Sequence, residues 1–333
     1  MQLPHPRGPL SAAVIDVLRG ADSTSLPQSP VAPDDVLADD DLQLALWTMY
    51  ELHYRGFSAV SDDWEWDPQL IGFRGRLEAM LLTALRTMVV VPPDGRRVAD
   101  RLRTLVDADN GPSLSRYMQT AADRSQWLQF AAHRSIYQLK EADPHTWAVP
   151  RLPVKVKSAL LDIQIDEYGA GNPALMHSEL FGDVLRELGL RSDYGEYVDV
   201  VPGITLAITN VMSMFGLHRG LRGALVGHLA AYEMTSSEPC RRYAKGLRRL
   251  GFSDAACAFY DVHVTADALH EQLAAHDLCG GLAEAEPELT EDILFGAAAC
   301  LAVDVRFAEH ILDSWAAGRS SLLMPDHTLA AAS

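Results

Sequence analysis

Residues 259–273 read FYDVHVTADALHEQL. On an ideal helix His263, Asp267 and His270 point within roughly 60° of one another. The apolar stripe Phe259, Val262, Ala266, Leu269 and Leu273 lies about 90° to one side. The three polar residues therefore sit at the flank of a buried face, where they can reach an interior shared with neighbouring helices. With 12 histidines in 333 residues, an H-x3-D-x2-H pattern should arise by composition roughly 0.04 times. Taken alone, the pattern fits a metal-binding edge and a solvated polar edge about equally well.

Helical spacing continues through most of the chain. It predicts helices over 43–54, 70–90, 98–108, 113–141, 154–169, 175–188, 204–233, 240–251, 254–276 and 293–316. No alternating strand pattern with hairpin turns interrupts them. The expected fold is all-α. Asn110-Gly111-Pro112 is the best boundary. It divides an N-terminal helical part, 1–110, from a main bundle, 111–320, with a flexible tail at 321–333.

The net charge of −17 argues against nucleic acid and anionic lipid as partners. No apolar run is long enough to span a membrane, and the N-terminus lacks a signal-peptide pattern. The four cysteines form no CxxC pair, which suits free thiols in a reducing cytoplasm.

A dinuclear site needs about six ligands, because each metal takes several donors. Two more regions offer them. The stretch RSIYQLKEAD ends at Glu141 and Ala142-Asp143. The stretch IQIDEYGAGNPALMHSELF puts Glu167 at a helix C-terminus, an awkward end for a carboxylate. A Gly/Pro break follows, and His177 lies in the first turn after it. Plain solvation explains each acid taken singly.

Taken together, Glu141, Glu167, His177 and His263-x3-Asp267-x2-His270 resemble the heme-oxygenase-like diiron oxidases. The gaps are 26, 10, 86, 4 and 3 residues. The resemblance implies a heme-oxygenase-like seven-helix bundle over about 112–318, preceded by a helical extension that some members use for homodimer contacts. It implies that these six residues hold two Fe ions, cycling between Fe(II) and Fe(III), with O2 as co-substrate. No catalytic residue beyond the metal ligands is implied. The branch it is most similar to is N-oxygenating, so the expected reaction is N-oxygenation of a small amine, guanidine or amino-acid-like molecule in a biosynthetic pathway. The same cofactor in this family also serves oxidative C–C cleavage or desaturation of amino or fatty acids. A non-redox helical protein that binds a small molecule or heme is the reading from another class. With no flavin or nicotinamide motif present, electrons must come from an external donor such as a reductase.

Tyr137, Gln138 and Gln164 lie near Glu141 or Glu167 and could line a substrate pocket, though ordinary core packing explains them as well. Asp166 neighbours Glu167 and reads as a solvated or supporting group. His145 follows Glu141 by four residues but across Pro144. Gly216 and Gly220 suit close helix packing or, by the resemblance, a helix lying over the iron site. The ferritin-like alternative requires Glu-x-x-His pairs, and no histidine here is preceded by Glu at that spacing.

Overall fold

The computed structural model describes residues 1–91 and 97–323, the side chains of 265–268 excepted. In chain order the helices are α1 (Pro9–Leu18), α2 (Asp40–Glu51), α3 (Pro68–Met88), α4 (Val98–Asp107), α5 (Leu114–Thr120), α6 (Arg124–Gln138) and α7 (Asp143–Thr146). They continue with α8 (Val154–Glu167), α9 (His177–Leu188), α10 (Gly203–Leu217), α11 (Arg222–Thr235), α12 (Ser237–Arg249), α13 (Asp254–Gln272), α14 (Gly281–Ala285) and α15 (Thr290–Ala316). Among the described residues there is no β-strand, as expected. No described helix is long and apolar enough to cross a membrane. No disulfide joins the four cysteines, all of which are buried.

The starts of these helices are written locally. Asp39 accepts from the Leu42 amide, Asp67 accepts from Gln69 and Leu70 ahead of Pro68 at the first helical position, and Ser253 accepts from Ala256. The single helix expected over 113–141 is broken in two. Asp123 caps α6 through the Gln126 amide, while the Gln126 side chain returns to the Asp123 backbone. The chain then leaves helical geometry at Gln138, and Ala142 takes a positive φ of 72°. Glu141 thus lies in a turn and not on a helix. The segment expected as one helix over 204–233 is two, α10 and α11, with a short turn between them. α1, which packs on α2, was not among the expected helices. After α13 the backbone widens into a π-helical segment, Leu273–Gly280.

α10 and α11 are buried on nearly every side, the mark of central helices. α11 meets α15 at close range: a Cβ on Gly227 would overlap the Ile293 carbonyl, and one on Gly296 the Ala224 carbonyl. Gly216 packs beneath the carbonyl of Pro144, which a Cβ would approach to 2.8 Å. Gly216 therefore serves close packing, whereas Gly220 is exposed and a Cβ there would meet nothing within 4 Å.

The N-terminal helices share the main core. One continuous apolar cluster runs from Val14 through Trp47 and Phe215 to Ile311. Asn210 donates to the Gln43 carbonyl at 2.8 Å, and the Tyr54 and Ser213 hydroxyls lie 3.0 Å apart. Lys140 and Glu51, both buried, form an ion pair across the same boundary. At the other end Ser321 and Leu322 are buried, and Ser321 is hydrogen-bonded to Gln129 at 2.9 Å. The rest of the tail lies outside the described residues.

Candidate metal centre

The Glu141 turn is held from two directions. On one side Lys140 pairs with Glu51, whose other oxygen accepts from the Tyr194 hydroxyl at 2.6 Å. On the other, Gln164 Nε2 donates to the Ala142 carbonyl at 3.1 Å, and the Tyr168 hydroxyl donates to Asp143 at 2.9 Å. Gln164 and Tyr168 flank Glu167, so the turn bearing one acid is tied to the helix bearing the next.

Glu167 ends α8. The turn that follows has positive φ at Gly169, Ala170 and Gly171, at 60°, 51° and 80°. That reversal brings the first residue of α9 back to the acid: His177 Nδ1 lies 2.8 Å from Glu167 Oε2. α13 then lays His263 against both. Its Nε2 is 3.3 Å from Glu141 Oε1, and its ring centroid is 4.3 Å from that of His177. His263 Nδ1 donates to the Phe259 carbonyl at 2.7 Å, which leaves Nε2 as the nitrogen facing the acids.

Glu141, Glu167, His177 and His263 therefore converge, with one ligand atom from each lying within 4.8 Å of the others. A second convergence joins Glu167 with Glu233 and His270, to the same limit. His270 Nδ1 lies 3.4 Å from Glu233 Oε2, while its Nε2 lies 2.9 Å from Asp166. Asp166 thus supports a candidate ligand at the half-exposed edge of the centre. Glu167 belongs to both groups. Asp267, the remaining sequence-predicted ligand, lies outside the described side chains.

Glu233, on α11, was not foreseen. It stands 37 residues before His270, with no local spacing to it. A usable signal did exist: α11 reads GALVGHLAAYEM, apolar on all faces, and an acid in such a helix is buried and must be compensated.

Electrostatics follow from this crowding. Burial alone would push the His263 imidazole below its ordinary value, but the Glu141 carboxylate outweighs it and holds the ring well above. His270, against Glu233 and Asp166, is likewise raised over the opposing effect of burial, to about 9. Burial pushes the Glu233 carboxyl up. Acids and imidazoles this close, mostly shielded from water, are the donor set that a cation of the iron, manganese or zinc type satisfies.

A cavity of about 370 Å³ opens onto Glu141, Glu167, Glu233 and His263. Tyr137, Gln138 and Gln164 line it, and so does His145. His145 is no part of either ligand group. It faces His228 instead, Nε2 to Nδ1 at 3.3 Å. Farther along the wall Arg134 pairs with Asp304 at 3.4 Å.

Nitrosourea synthase of Streptomyces achromogenes subsp. streptozoticus is 28% identical to the chain over 204 residues. The match covers 58% of this chain but only 42% of that protein, less than half its length. The family described as iron-containing redox enzyme matches residues 128–305. That span is more than half of the chain and contains all the acids and histidines of both ligand groups. The all-α bundle is accordingly of the heme-oxygenase-like class. The chain belongs to the iron-containing redox enzyme family.

Proposed function

We propose that this protein is a diiron oxygenase that transfers one oxygen atom from O2 to a nitrogen of a small amine, guanidine or amino-acid-like substrate. The observation that carries the two-metal reading is the position of Glu167. One carboxylate belongs to both groups of acids and imidazoles, so the two groups together would hold a pair of neighbouring cations. Glu141, His177 and His263 would hold one iron and Glu233 and His270 the other, with Asp267 a further ligand by the sequence resemblance. Bound there, the irons supply the reductive activation of dioxygen.

The chain's own residues do the rest. The Phe259 carbonyl and Asp166 fix the ring orientations of His263 and His270. Phe259 packs over the His263 ring, with centroids 4.5 Å apart, and shields the centre from water. The cavity places a substrate against Glu141 and His263, and the Arg134–Asp304 pair farther along its wall offers a charged head group both signs of partner. The balance is R–NH2 + O2 + 2 electrons + 2 protons giving R–NHOH + H2O. A separate redox protein or reductase delivers the electrons. The similarity to nitrosourea synthase supports nitrogen as the atom oxidised.

The test is to load the protein anaerobically with ferrous iron, mix it with isotopically labelled O2 and follow absorbance and product mass. A transient absorbance and one labelled oxygen retained in an amine substrate are expected, both lost in His263→Ala. Absence of ferrous binding, or full activity in His263→Ala, would overturn the reading.

A further inference from the structure

The helices that carry the candidate ligands are apolar on their outer side, where solvent favours polar residues. Leu161 and Ile165 on α8, Leu175 in the turn before α9, and Val262 and Leu269 on α13 are five of the ten large apolar side chains exposed among the described residues. Such residues scattered singly are ordinary, but a cluster marks an interaction surface. The fold gathers these five. Leu161 and Ile165 are one turn apart and Val262 and Leu269 two turns apart, so each pair shares one side of its helix. His270 Nε2 lies 2.9 Å from Asp166, which brings α8 and α13 together beside Ile165 and Leu269. The backbone of Leu175 packs on Gly169, just past the end of α8. None of the five lines the cavity, whose exposed wall is made elsewhere by Asp109, Pro112, Ser113 and Asp304.

The rim of this patch is acidic. Asp162 and Asp166 are exposed next to Leu161 and Ile165, and no Lys or Arg pairs with either among the described residues. Asp261, next to Val262, pairs with Arg248 at 2.5 Å. Setting aside the ligand candidates Glu167 and Asp267, α8, α9 and α13 carry eight acids against three basic residues. A second copy of the chain docked through this face would bring acids to acids, because a two-fold interface presents one patch to itself. A partner with basic residues around an apolar centre fits instead.

The patch also lies over a short route inward. Half-exposed Asp166 touches His270 Nε2, and His270 Nδ1 lies 3.4 Å from buried Glu233. One imidazole thus joins the surface to a candidate ligand group, so an electron can enter while the donor's cofactor stays outside. We propose that the outer face of α8 and α13 is the docking surface for the electron donor, a redox protein with basic side chains around the exposed edge of its cofactor. The inference rests on the oxygenase reading, which consumes two electrons per hydroxylation, and adds the place where they enter. Two one-electron donors, or one two-electron donor, are oxidised per turnover as two Fe(III) become two Fe(II). No bond forms or breaks at the surface.

Cytochrome c, a basic heme protein with lysines around its heme edge, is the probe. Protein loaded anaerobically with ferrous iron is mixed with ferricytochrome c, and reduction of the heme is followed by absorbance. The electron then leaves by the surface through which it would enter. Calorimetry measures binding of the same probe to metal-free protein. The wild type is expected to bind it and to reduce it more slowly as salt rises. Ile165→Lys and Leu269→Lys, both at exposed positions, should each slow reduction by at least about tenfold and weaken binding in parallel, with iron content unchanged. Val31→Lys makes the same charge change at an exposed position in the N-terminal segment and should stay within about twofold of wild type. Equal slowing in all three variants, or wild-type rates in both patch variants, would overturn the inference. So would a wild-type dimer, seen by sedimentation, that Leu269→Lys splits, since the face would then belong to a second copy. Failure of the oxygenase reading shows separately. Patch-dependent electron transfer with no labelled oxygen in an amine would support this surface and reject N-oxygenation. N-oxygenation driven by a chemical reductant, with both patch variants reducing cytochrome c at the wild-type rate, would do the reverse.

Discussion

His177 Nδ1 stands 2.8 Å from Glu167 Oε2 although a helix ends at one residue and another begins at the other. The intervening turn makes the contact. Gly169 has φ of 60°, and a Cβ there would come within 2.5 Å of the Leu175 backbone. Gly169→Ala should therefore cost at least about 1–2 kcal/mol in stability and displace His177 from Glu167. Denaturant unfolding together with anaerobic iron titration checks this. A variant with unchanged stability and unchanged iron uptake would show that the turn does not position the pair.

Glu233 is buried beside His270, with its carboxyl pushed up by burial. In Glu233→Ala, ferrous uptake should fall from two ions per chain to one. The metal-free variant should also be less stable than the parent below about pH 6.5, because the partner that raises His270 is gone. Two ions still bound per chain would remove Glu233 from the ligand set.

Asp166 accepts from or pairs with His270 Nε2 at 2.9 Å but is about half exposed. Asp166→Ala should weaken the ion held by Glu233 and His270 by about tenfold, the lower end of what such supporting groups contribute. The ion held by His177 and His263 should be unaffected. A two-site titration resolves the difference, and equal weakening of both ions would contradict the assignment.

Stability should fall on mild acidification. His133 and His228 are held well below the ordinary histidine value by burial, and His145 by burial to about 3. The unfolded chain takes up protons below about 6.5 that these rings refuse when folded. Their stabilisation is therefore complete above about pH 6.5 and declines as pH falls, by about 1.4 kcal/mol per ring and pH unit. In the metal-free protein His270 acts in the opposite sense: raised to about 9, it stabilises fully below about 6.5 and loses that effect as pH rises through its folded value. Urea midpoints at pH 7 and pH 5 test the acid limb, which should be shallower in His228→Phe.

The helices were legible because capping residues and apolar spacing are local. The break before α6 was legible too, in the Asp123-x-x-Gln126 capping pair, and was overlooked in favour of the longer apolar pattern. The Glu167-to-His177 turn and the His263/His270 face were readable for the same reason: their spacing is set by a few consecutive backbone angles. The capping pairs, the Gly-rich turn and the order of the acids and histidines are what the sequence by itself determined. The tertiary structure decided the rest. It placed Glu141 in a turn gripped by Glu51 and Gln164, and brought Glu233 from a separate helix onto His270. Those relationships depend on which helix faces pack together, with glycines letting α11 and α15 approach. Packing of that kind is a non-local property that no spacing along the chain encodes.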